Sequence, residues 1–90
     1  MLSTIIKRYY FVLREQRSDE LVEEYITSLQ KLASTCKFGE STEEQIRDEL
    51  VLSCKDDKIR DELWLKEKAP LEEVILVAQS VEHMLKCVSN

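Results

Sequence analysis

The stretch SDELVEEYITSLQKLASTC, residues 18–36, decides the fold. Ser18 offers an N-cap hydroxyl, and Asp19 and Glu20 place negative charge in a first turn, where the helix dipole favours it. Leu21, Val22, Tyr25, Ile26, Leu29, Leu32, Ala33 and Cys36 then recur at three- and four-residue intervals and trace one stripe of a helix. Gly39, in CKFGES, stands where a helix exit needs a residue tolerant of positive φ. An amphipathic helix with both ends marked needs other helices to cover its stripe, and the flanking sequence supplies them.

Upstream, Ile5, Ile6, Tyr9, Tyr10 and Leu13 share a face of a helix predicted from Ser3 to Glu15, although the aromatic run Tyr9–Phe11 also suits an extended segment. Downstream, Thr42-x-x-Gln45 reads as a capping box opening a third helix with Ile46, Leu50 and Val51 inside. Asp56 or Asp57 caps a fourth, carrying Ile59, Leu63 and Trp64. Pro70 suits the first position of a fifth, whose stripe is Leu71, Val74, Ile75, Ala78, Val81, Leu85 and Val88. Leu52 falls roughly 120° or more from the Ile46–Leu50 face at about 100° per residue. It is either a lone exposed leucine or a contact with a second chain. Leu65 likewise leaves the Ile59–Leu63 face. Trp64 is either core or an interface anchor, since tryptophan serves both.

The expected fold class is therefore all-α, a compact bundle of four to five short helices. It reads as one domain overall, with residues 1–17 as an N-terminal helix and lead-in and residues 18–90 as the main lobe. One glycine and one proline in 90 residues suit helices joined by short turns. A chain this short buries only about 60–65% of its unfolded surface, which favours completing the core against a partner.

Composition excludes more than it assigns. A net charge of −5, with acids and bases interleaved as in KDDKIRDELWLKEK, gives no basic stripe for phosphates, so no direct nucleic-acid binding is expected. No apolar run reaches the roughly 20 residues of a membrane span, and Lys7 and Arg8 interrupt the N-terminal apolar segment, so no membrane association or signal peptide is expected. Cys36, Cys54 and Cys87 form no C-x-x-C pair, and His83 is the only histidine, so no metal site is expected. An odd number of dispersed thiols suits a reducing, cytoplasmic setting. There is no Gly-rich phosphate loop, no H-E-x-x-H and no G-x-S-x-G, hence no catalytic residue and no cofactor. A Cys87–His83 pair lacks any oxyanion-stabilising element. The pairs Glu43–Glu44 and Glu72–Glu73 sit at helix N-termini, where the dipole accounts for them.

One constellation stands out: Gln16-x3-Glu20-x4-Tyr25-x3-Leu29. An amide just before a helix and a carboxylate in its first turn can hydrogen-bond the backbone groups that helix end and turn leave unpaired. Tyr25 and Leu29, four residues apart, point together into the core. This spacing resembles the major homology region of retroviral and retrotransposon capsid C-terminal domains. KRYYFVLREQ, ELVEEYITSLQKLASTCKFGE, IRDELVLSCKDDKIRDELW and PLEEVILVAQSVE resemble, in order and spacing, Gag of gypsy-class LTR retrotransposons across roughly Lys7 to Glu82. Three positions depart from that pattern. Arg17 stands where the family has Gly after the motif Gln, Ser28 where it has Arg, and Ser53 where it tends to have Gly.

The resemblance implies a capsid C-terminal lobe that dimerises and joins subunits of a shell or virus-like particle. It also implies a fragment of a longer polyprotein or a domesticated remnant, since neither an N-terminal capsid lobe nor a zinc knuckle is present in these residues. The expected partner is the chain itself, as a homodimer or a higher capsid-like assembly. Candidate interface residues are Tyr9, Tyr10, Phe11, Leu52, Trp64 and Leu65. A host adaptor lobe that binds a peptide or another protein is the alternative.

Overall fold

A computed structural model of the chain describes residues 3–66 and 68–88. Among the described residues five α-helices follow one another: α1 (Thr4–Leu13), α2 (Val22–Ala33), α3 (Thr42–Ser53), α4 (Asp57–Trp64) and α5 (Leu71–Val88). A 3-10 turn, Gly39–Ser41, leads directly into α3, and there is no strand among the described residues. The all-α architecture expected from the helical periodicities is the one observed.

The core is built from the stripes. Val22, Tyr25, Ile26, Leu29 and Ala33 of α2 bury themselves together with Ile46 and Leu50 of α3, Ile59 and Leu63 of α4, and Leu71, Val74 and Ala78 of α5. Cys36 and Cys54 are buried free thiols that pack as small apolar groups. The long α5 braces the others, with Ile75, Val81 and Leu85 half-buried against the core; the side chain of Val88 lies outside the described residues.

Several helix ends differ from the sequence expectation. α2 begins at Val22 rather than at Ser18, because residues 17–20 form a turn closed by Glu20 N–H donating to the Arg17 carbonyl at 3.1 Å. Leu21 consequently lies outside the helix and is exposed. The orphan amides of α2 are satisfied by carboxylates: Leu21 N–H donates to Glu24 Oε1 at 2.8 Å, and Val22 N–H to Glu82 Oε2 of α5 at 2.9 Å. Thr42 does not cap α3. The preceding 3-10 turn is already helical, so the Thr42 hydroxyl turns back to donate to the Gly39 carbonyl at 2.7 Å. Asp56 is the cap of α4, its Oδ1 accepting from the Lys58 and Ile59 amides. Pro70 sits one position before α5, its carbonyl accepting from Glu73 and Val74. Past the end of α2, Lys37 at φ 55° and Gly39 at φ 65° carry the chain through the left-handed region.

The α1 helix is capped by Ser3, whose hydroxyl accepts from Ile6 N–H, and ends at Leu13, shorter than the predicted Ser3–Glu15. Ile5, Ile6, Tyr9, Tyr10 and Leu13 do share a face, but that face points to solvent. The residue α1 buries is Phe11, 1% exposed, which meets Phe38 edge-on at 5.2 Å between ring centroids. Cα extents of 46 × 27 × 16 Å explain the outcome. A body that thin is little more than one helix layer of about 10–12 Å deep, so not every apolar face can be covered.

Candidate functional site

Two features of the molecule could carry function: the polar turn around Gln16 and Glu20, and the apolar surface on α1, α3 and α4.

The buried polar groups of the turn are all paired. Gln16 is buried between the start of α2 and the end of α3. Its Nε2 donates to the Glu20 carbonyl at 2.9 Å, its Oε1 accepts from Lys55 N–H at 3.1 Å, and its own amide donates to the Ser53 carbonyl at 3.2 Å. The Glu20 carboxylate accepts from the Arg14 guanidinium at 2.5 Å and from Arg17 N–H at 3.1 Å. The Arg14 hydrogen bond, against the opposing effect of burial, holds the Glu20 carboxyl below its ordinary value. Lys55 Nζ donates to the carbonyls of Ser18 and Glu20 at 2.8 and 3.0 Å. Tyr25 is fully buried, its hydroxyl directed at the Arg14 carbonyl, 3.1 Å, with the Glu49 carbonyl at 3.4 Å, and Arg14 stacks over its ring. Burial pushes the Tyr25 phenol up, so it stays a neutral donor. Leu29, four residues on, lies fully in the core.

The structure thus brings Gln16, Glu20, Tyr25 and Leu29 together. No buried polar side-chain atom among the described residues lacks a partner. The residues that complete this network, Arg14, Lys55 and Glu82, were not singled out in the sequence. A cation six residues before a carboxylate carries no periodic signal, and Lys55 and Glu82 reach the turn only through the fold. Arg17 and Ser53 take part in the turn through backbone groups, the Arg17 amide and the Ser53 carbonyl, which do not depend on the side chain.

The apolar surface is open. Leu52 (64% exposed), Trp64 (59%) and Leu65 (78%) stand on α3 and at the end of α4. Arg47, Asp48, Val51, Leu52 and Trp64 line a groove of ≈ 390 Å³. Trp64 is therefore surface, while its neighbour Leu63 is core. On α1, Tyr9 and Tyr10 are exposed with their rings 5.9 Å apart. Phe11 is a correction to the candidate interface. It faces the opposite side of α1 from Ile6 and Leu13 and is taken up by the core.

Little else offers chemistry. His83 Nε2 and Cys87 Sγ lie 3.7 Å apart on the exposed side of α5. Among the described residues no three His, Cys, Asp or Glu side chains cluster as metal ligands, and no helix is long and apolar enough to cross a membrane. Glu49 is a buried carboxylate whose pKa burial raises, against the pull of the Ser53 hydroxyl at 3.4 Å. Comparison with known proteins gives no match to a family model, to a curated protein or to a solved structure.

Proposed function

We propose that this chain is a structural self-association domain, working by protein–protein contact rather than by catalysis, in the manner of a Gag capsid C-terminal lobe. One observation carries the reading: Leu52 and Trp64 lie exposed in the lining of an open groove that the fold does not fill, and Leu65, the next residue along the chain from Trp64, is exposed as well. Exposed apolar groups grouped in this way, with an indole among them, are what a second chain desolvates. The closed Gln16–Glu20–Tyr25 turn supports the same reading, because it gives the capsid-like motif a structural task and leaves it no free group for a ligand. The two buried thiols suit a reducing, intracellular setting.

The partner in this reading is a second copy, through a two-fold contact of the standard size of roughly 1,200–2,000 Å². Combining Leu52→Asp with Trp64→Ala is expected to lower the mass seen by sedimentation while leaving the helical spectrum unchanged. A mass unaffected by both substitutions removes this surface from the interface. The groove also favours an adaptor that binds an apolar peptide segment. An adaptor stays monomeric at every concentration, whereas the self-association domain does not.

A further inference from the structure

We propose that α1 forms a second self-association surface, separate from the α3–α4 groove, on which two copies of the chain pair α1 against α1 across a two-fold axis. The inference rests on the self-association reading above and extends it: the chain carries two interfaces, so its assemblies grow beyond a dimer.

The starting point is that α1 turns its better apolar face outward. Ile5, Ile6, Tyr9, Tyr10, Val12 and Leu13 are each 41–79% exposed, while Phe11 alone among the residues of α1 is buried. By ordinary side-chain sizes these six expose on the order of 700 Å², close to the roughly 800 Å² each partner contributes to a standard interface and above the largest patch usual on a monomer. At about 100° per residue they span a continuous arc of roughly 160°, with Tyr9 near its centre.

Charge then selects the occupant. None of the six carries charge. Of the cations of this segment, Arg8 and Arg14 are turned toward the body, and Lys7, half-buried, lies about 60° beyond the Tyr10 edge of the apolar arc, which leaves one cation beside the face. Arg8 donates to the Cys36 and Lys37 carbonyls at 2.8 and 3.0 Å and lies over the Phe38 ring, and Arg14 is held by Glu20. A helix that lies on an anionic membrane keeps its cations free to flank the apolar face. Here Arg8 and Arg14 are engaged internally, and the chain as a whole is at −5. The face is also convex, so it does not take up an extended peptide as a groove does. What matches a convex, uncharged helix face of about 15 Å is another such face at 8–10 Å between axes, and an identical copy supplies one with no like charges opposed. The tyrosine hydroxyls can stay at the wet edge of such a contact.

Because α1 packs chiefly on α2, its outward face and the groove on α3 and α4 belong to different elements. Two isologous patches on one chain do not close on each other in a dimer; they link dimers into larger species.

The test is the mass in solution of four forms of the full chain: unaltered, Ile5→Asp with Tyr9→Asp, Leu52→Asp with Trp64→Ala, and all four substitutions together. The expected series is larger than dimer, dimer, dimer and monomer. As a second measurement, Tyr9→Cys in a Cys87→Ser background carrying Leu52→Asp and Trp64→Ala is expected to form a disulfide-linked dimer on mild oxidation, since a residue near the axis meets its own copy. If the α1 variant behaves as the unaltered chain and Tyr9→Cys does not cross-link, the α1 interface is wrong while the groove reading stands. If either pair of substitutions alone gives monomer, there is one interface and not two. Binding of the unaltered chain to anionic vesicles, lost in the α1 variant with no change in mass, assigns the face to membranes and overturns the proposal. An unaltered chain that is monomeric throughout overturns self-association itself.

Discussion

The turn around Gln16 and the outer face of α1 are neighbours in sequence and opposites in chemistry. In the turn, a buried amide, a buried carboxylate and a buried phenol are each matched by named donors and acceptors from α1, α2 and the α3–α4 connection. On α1, six large apolar side chains are left 41–79% exposed by the same chain. The first region is finished by the fold, and the second is left for something else. The comparison teaches that the same short segment can serve stability with one side and association with the other. Substitutions in the two regions should therefore separate cleanly into losses of stability and losses of mass.

The largest effect is expected at Tyr25. Tyr25→Ala empties a fully buried site and orphans the Arg14 carbonyl, so urea unfolding should show a loss of about 3–5 kcal/mol. Tyr25→Phe, which keeps the volume, should cost only about 1 kcal/mol. If the two variants are equally stable, the ring is not the anchor described here.

Gln16→Ala comes next. It leaves the Glu20 carbonyl and the Lys55 amide without their side-chain partner, with an expected loss of about 2–3 kcal/mol by denaturant titration. A loss below about 0.5 kcal/mol would show that water substitutes freely for the amide and that the turn is not closed.

Acid sharpens the comparison, because Glu20 in the turn and Glu49 on α3, whose carbonyl faces the Tyr25 hydroxyl, respond in opposite directions. Glu20 has a folded pKa below its ordinary value of 4.5, so its contribution is present above that value and is lost as pH falls through the folded one. Glu49 has a folded pKa above 4.5, so its contribution is fully present below that value and is lost as pH rises through the folded one. At neutral pH, Glu20→Gln should destabilise by about 1–2 kcal/mol, and this difference should shrink in acid. Glu49→Gln should stabilise by roughly 0.5–1 kcal/mol at neutral pH and by nothing once the medium is acid enough to protonate the wild type. Thermal melts of both variants over a pH series check the signs. Parallel curves for the two would contradict the assignment.

Smallest in stability, and largest in mass, are the surface substitutions. Ile5→Asp, Tyr9→Asp and Leu52→Asp sit on exposed positions and should each change the unfolding free energy of the single chain by about 0.5 kcal/mol or less. A loss comparable to that of Tyr25→Ala would mean that the face is needed inside the fold.

Much of this was legible before any coordinates. The α2 stripe was, because Val22, Tyr25, Ile26, Leu29 and Ala33 repeat at the helical period over three turns and are all buried. That the Gln16 amide and the Glu20 carboxylate can hydrogen-bond backbone groups of the turn followed from their place before and within a first helical turn, and the departure of Leu52 and Leu65 from their helices' inner faces followed from spacing. The direction of α1 did not. Periodicity says which residues share a face, not whether that face looks in or out, and Phe11 gained the core because it meets Phe38 from the far end of α2. Trp64 was undecidable for the same reason, one residue of rotation separating it from the buried Leu63. The Ser18 and Thr42 caps failed where a preceding turn was itself ordered, by Glu20 in one place and by the Gly39–Ser41 turn in the other. Glu82 and Lys55 reach the turn over 60 and 35 residues of sequence, distances at which no local pattern exists.

The measurement that bears most directly on the account is the absolute mass of the unaltered chain in solution over a hundredfold range of concentration. The account predicts a mass that climbs from near 10.6 kDa past twice that value as concentration rises. A mass that stays at 10.6 kDa throughout contradicts it.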